Sequence, residues 1–74
     1  MKYFEEIKTI LEVDDIDELD GADSLISFGF DSLAIINLIS LINDRSNTDI
    51  DPDEIENLET VADLNDFIAT KLSN

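Results

Sequence analysis

At 74 residues the chain has room for one domain (1–74) and one core, and its 19 acidic against 4 basic side chains leave a formal net charge of -15. A charge of that sign argues against binding nucleic acid or an anionic membrane surface, which need cationic patches to displace counterions, and it points to basic partners. With no cysteine and no histidine the chain has no disulfides, no thiol or imidazole chemistry and few routes to a zinc site, while 43% hydrophobic residues suffice for a folded core.

From Lys2 to about Val13, Phe4, Ile7, Ile10 and Leu11 recur at helical spacing with Glu5, Glu6 and Lys8 on the outer face, which predicts helix one. This opening is amphipathic and acidic, so no signal peptide is expected. No apolar run reaches the ~20 residues that span a bilayer, and the expectation is a cytoplasmic monomer that does not insert into membranes. Asp14 to Phe30, interrupted by Gly21 and Gly29, is too polar and too broken for a full-length element. Ile16, Leu19, Leu25, Ile26, Phe28 and Phe30 punctuate it, however, so it is expected to lie pinned across the core.

Gly29, between two phenylalanines, reads as a hinge, and Asp31 as an N-cap for a second helix from Ser32 to about Asp44, with Arg45 suited to its negative pole. In this helix Leu33, Ile35, Ile36, Leu38, Ile39, Leu41 and Ile42 nearly encircle the axis, and only Asn37, Ser40 and Asp44 form a polar line. Most of these residues are expected in the core, with Ile35 and Ile39 as the exceptions that meet a partner or a bound apolar cargo, because so small a domain cannot cover a helix on all sides. Ser32 stands at the helix N-terminus, where free N–H groups and the dipole favour a phosphate, although Asp31-Ser32 reads equally well as plain capping.

Asp51-Pro52 starts a short third helix with Ile55 and Leu58 inward, and Thr60, paired with Asp63 in a capping-box spacing, starts a fourth, striped by Val61, Leu64, Ile68 and Leu72 and ending near Lys71. No stretch alternates like a strand. The predicted fold is an all-α, small four-helix bundle, three longer helices and one short, with a long loop between helices one and two.

GFDSLAIINLISLIN resembles the Gly-x-Asp-Ser-Leu signature of acyl carrier proteins and of the related carrier domains of polyketide and peptide assembly lines. The resemblance extends over nearly the whole chain: the amphipathic first helix, the apolar-studded loop, DIDPDEIENLE as the third helix and TVADLNDFI as the fourth appear in order. It implies a carrier, not an enzyme, with 4'-phosphopantetheine esterified to Ser32 and flanked by Asp31 and Leu33. The group would come from coenzyme A through a magnesium-dependent phosphopantetheinyl transferase, and its terminal thiol would carry acyl or aminoacyl groups as thioesters. The further partners it implies are loading, synthase and transferase enzymes of fatty-acid, polyketide or related biosynthesis. Docking falls to Ile35, Ile39, Asp44, Asp53 and Glu54, among acids that also include Asp49, Asp51 and Glu56. Leu33, Ile36, Leu38 and Ile55 are candidates to border a groove for cargo or arm, with core packing the favoured role for each.

Asp-Ser-Leu occurs twice, as GADSL at Gly21 to Leu25 and as GFDSL at Gly29 to Leu33. Gly29 would interrupt any helix opened by Ser24, whereas Ser32 opens three to four turns, so Ser32 is chosen. Where fatty-acid carriers place acids on the exposed side of helix two, this chain has Ala34, Asn37 and Asn43, with Asp44 remaining; that suggests a specialised free-standing carrier with more apolar docking. Two other readings are weaker. Asp49-x-Asp51-x-Asp53 opens like a calcium loop, but Glu54 stands where glycine is needed and Thr60 where a bidentate Glu is needed. An acidic module that binds basic protein surfaces would need the charge, but neither Ser32 nor the apolar helix.

Overall fold

The computed structural model describes residues 2–13 and 19–73 and contains four α-helices: α1 (Phe4–Leu11), α2 (Ser32–Ser46), α3 (Pro52–Glu56) and α4 (Val61–Leu72). The loop between α1 and α2 carries a short 3-10 turn at Leu25–Phe28. There is no β-strand among the described residues, and no helix there is long and apolar enough to cross a membrane.

The caps fix the helix ends. Asp31 Oδ1 accepts the Ala34 N–H at 3.2 Å, and Asp51–Glu54 and Thr60–Asp63 both close capping boxes, with Pro52 in the first turn of α3. Two ends differ from expectation. Glu12 adopts a left-handed backbone, φ 57, and turns its N–H back to α1, which stops that helix at Leu11 instead of about Val13. α2 runs past Asp44 to Ser46, where Asn47 makes the same kind of cap with its N–H on the Asn43 carbonyl.

The core combines Ile7, Ile10 and Leu11 from α1 with Ala34, Leu38 and Ile42 from α2, and Val61, Leu64 and Ile68 from α4. The three longer helices pack pairwise around this cluster, and α3 reaches it through one buried residue, Ile55. Polar ties frame it: Arg45 of α2 donates to Glu6 of α1 at 2.8 Å, Asn37 donates to the Ile10 carbonyl at 3.4 Å, and the Tyr3 N–H donates to Asn65 of α4 at 3.0 Å.

The loop is pinned as expected where it is described; Ile16 lies outside the described residues. Leu25 is buried, and Leu19, Phe28 and Phe30 pack on the core. The strapping itself is backbone: the Leu25 N–H donates to the Glu59 carbonyl, and the first N–H groups of α4, on Val61 and Ala62, donate to Asp23 and Gly21 at 3.0 Å. Gly21 suits this approach, because a Cβ there would lie 3.2 Å from that of Ala62, tighter than an ordinary contact. Gly29, read as a hinge, instead caps the 3-10 turn in the left-handed region with its N–H on the Ile26 carbonyl. Ile26 itself is a correction. It is 84% exposed, because in so tight a turn neighbouring residues point apart and Leu25 already takes the inward direction.

Candidate functional site

The N-terminus of α2 is built by a sequence of small constraints. Phe28 and Phe30 anchor the turn on the core, Gly29 reverses the chain between them, and Asp31 follows in extended backbone with its carboxylate folded over the first turn of the helix. The Asp31 side chain takes up the Ala34 N–H and its carbonyl takes up that of Ile35. The N–H groups of Ser32 and Leu33 stand at the open, positive end of the helix, next to an exposed serine hydroxyl.

Beyond Ser32, α2 has two unlike faces. Ala34, Leu38 and Ile42, four residues apart, face inward. Leu33 and Ile36 are 52% and 61% exposed and lie on the same outward side as Ser40 and Asp44. This corrects two expectations. Ile35 and Ile39, assigned as the exposed apolar pair, sit on the flank, half-buried against the core, because α1 and α4 turn the helix so that its 34–38–42 stripe points inward. Leu33 and Ile36, given to the core, are the exposed ones, whereas Leu38 and Ile55 are buried as expected. Nor is Ala34 a surface position stripped of an acid: it is 4% exposed, and Asn37 faces α1, so of the three departures only Asn43 lies on an open surface. Ser40 and Asp44, read back in steps of four, four and three, pass through Ile36 and Leu33 and would have identified this face.

The other acids assigned to docking differ among themselves. Asp44 and Asp53 are exposed. Glu54 is tied within the chain, accepting from the Lys71 ammonium on α4 at 3.1 Å and from the Asp51 N–H at 3.2 Å, and these bonds hold its carboxyl below the ordinary value of 4.5.

Ser24, the twin of Ser32, occupies a different setting. It precedes a turn of four residues, makes no cap with its side chain, and pairs with Thr60 in an isolated antiparallel bridge flanked by the Leu25–Glu59 and Val61–Asp23 hydrogen bonds. Its backbone belongs to the strap that holds the loop on α4.

Comparison with curated proteins and with solved structures gives no match. The family model of the phosphopantetheine attachment site matches residues 4–68, from the first residue of α1 to the last buried residue of α4. Proteins of that family carry 4'-phosphopantetheine as a covalent group. The end of α2 fits such a group: an exposed hydroxyl to esterify, open N–H groups to meet a phosphodiester, and exposed Leu33 and Ile36 alongside. With the loop, α1 to α3 and the larger part of α4 inside the matched span, the chain belongs to the phosphopantetheine-attachment carrier family.

Proposed function

We propose that the protein carries acyl or aminoacyl intermediates on a phosphopantetheine arm attached to Ser32 and presents them to partner enzymes of a biosynthetic pathway. The observation that carries this reading is the exposed Ser32 hydroxyl on the first residue of a capped, fifteen-residue helix, within a chain of the phosphopantetheine-attachment family. The group, when bound, supplies the thiol on which cargo rides as a thioester.

The chain's own residues hold and expose the arm. Asp31 fixes the first turn of α2, so the Ser32 hydroxyl keeps one direction, and the positive end of the helix offsets the phosphodiester charge. With no histidine or cysteine in the sequence, nothing of imidazole or thiol type activates that hydroxyl from within, which leaves the transfer to a separate transferase using coenzyme A. Leu33 and Ile36 supply apolar docking area beside the attachment point, with Ile35 and Ile39 at its flank, and Asp44 and Asp53 add acids that steer basic partners. A plain acidic interaction module would leave the exposed Ser32, Leu33 and Ile36 without a use.

Incubation with coenzyme A, magnesium and a phosphopantetheinyl transferase of broad specificity, followed by intact-mass measurement, tests the assignment. Wild type and Ser24→Ala gain the mass of the arm, and Ser32→Ala does not. Retention of the gain by Ser32→Ala would overturn it.

A further inference from the structure

A groove of about 330 Å³ runs between α3 and α4, lined by neither Ser32, Leu33 nor Ile36. Its apolar walls are Leu58 and Phe67, both half-buried, and Glu54, Asp63 and Asp66 bring three carboxylates against one base, Lys71. The Lys71 ammonium lies 5.5 Å from the centre of the Phe67 ring and 3.1 and 3.2 Å from the two Glu54 oxygens. The groove thus already seats an alkylammonium ion, its charge over the ring and against the carboxylate.

We propose that this groove is a docking site for a basic segment of a partner protein, taking an arginine or lysine side chain over Phe67 with its charge against Glu54 and Asp66, and that Lys71 occupies the seat until the partner arrives. Charge complementarity identifies the occupant. One ammonium leaves the groove's three carboxylates under-neutralised, and the chain's net charge of -15 repels a second copy of itself. Glu54 is 45% exposed against 15% for the Lys71 side chain, so an incoming cation meets the carboxylate from the solvent side and displaces a partly buried ammonium to take the seat. A guanidinium gains most, since it stacks flat on the ring and grips a carboxylate with two parallel N–H groups. The site does not depend on where the arm is attached; it would let a partner hold the carrier by one face while the end of α2 stays open.

Amide chemical-shift mapping of the ¹⁵N-labelled protein, titrated with acetylated and amidated Arg-Leu-Arg tripeptide, tests this. The proposal requires saturable shifts centred on Asn57, Leu58, Asp66 and Phe67. Phe67→Leu, which keeps the apolar packing, weakens binding about two- to fivefold, the worth of an exposed cation–π contact. Glu54→Gln weakens it more than Glu56→Gln, an equal charge change on α3 outside the groove. Lys71→Met tightens it more than Lys8→Met, which removes the same charge from α1. Amide spectra of the free variants report that each is folded. Shifts spread evenly over the acidic surface, or binding indifferent to Phe67, Glu54 and Lys71 beyond their charge-matched controls, would overturn the proposal.

Discussion

Ile36→Ala and Leu38→Ala, two residues apart on α2, separate the two faces of this helix. Leu38 is fully buried, and truncating such a leucine costs about 2–5 kcal/mol once the cavity it leaves is included. A chain of this length is stable by only about 4–11 kcal/mol, so Leu38→Ala removes a large part of the margin. At roughly 4–8 °C per kcal/mol for a domain of this size, the melting temperature falls by on the order of 15 °C. Ile36 keeps 61% of its surface in water, so only about two fifths of the ~1.5–3 kcal/mol that full burial provides is at stake. Alanine retains part of that contact and is the better helix former by up to about 0.5 kcal/mol, which leaves a net loss below ~1 kcal/mol and a shift of a few degrees. Thermal unfolding followed by far-ultraviolet circular dichroism distinguishes the two. On the functional side, Ile36→Ala lowers kcat/KM for arm attachment by about fivefold or more, the effect of an interface contact worth over ~1 kcal/mol. Equal destabilisation by both substitutions would refute the orientation assigned to α2.

Three further outcomes follow from local interactions. Asp31→Ala removes the cap on the Ala34 N–H and lowers stability by about 1 kcal/mol in urea titrations, whereas Asp31→Asn, an equally good cap, retains most of it. Asp63 is held below its ordinary 3.8 by hydrogen bonds from the Glu59 and Thr60 N–H groups. The unfolded chain therefore takes up this proton first, so the stability due to the carboxylate is complete above 3.8 and is lost as pH falls through the lowered folded value. Asp63→Asn should accordingly be less stable than wild type at neutral pH, with the difference in urea midpoint closing in acid; a difference independent of pH would contradict the assignment. Added sodium chloride should raise the melting temperature. In the ion pairs Arg45–Glu6 and Lys71–Glu54 one partner of each is about half exposed, and such pairs add little, so screening the repulsion of a -15 chain outweighs weakening them. A melting temperature that stays level or falls with salt would show that repulsion is not the larger effect.

Much of the fold is legible in the sequence because the helix starts are written in short-range chemistry. Asp31, Asp51-Pro52 and Thr60 with Asp63 are local signals, and each opens its helix in the structure. The orientation of α2 is less legible, because a helix apolar nearly all round does not phase itself. Which side is covered depends on α1 and α4, and they select the stripe Ala34, Leu38 and Ile42, burying the small alanine that sequence reading places at the surface. The loop is legible in its apolar residues but not in its attachment. Its bonds to α4 run between backbone atoms, which carry no side-chain signature, and Gly21 shows its role only once Ala62 is beside it. The groove at Phe67 is hidden for a related reason: Glu54 and Lys71 stand far apart in sequence and meet only when α3 lies against α4.

Localisation of the attached group tests the central claim most directly. Trypsin leaves Ser24, Ser27, Ser32 and Ser40 together on the peptide Thr9–Arg45, which contains no internal lysine or arginine. Fragmentation of that peptide, after coenzyme A and a phosphopantetheinyl transferase have acted on the wild-type protein, places the added mass on one serine. The account predicts Ser32. Attachment at Ser24, or at either of the other two, would contradict it.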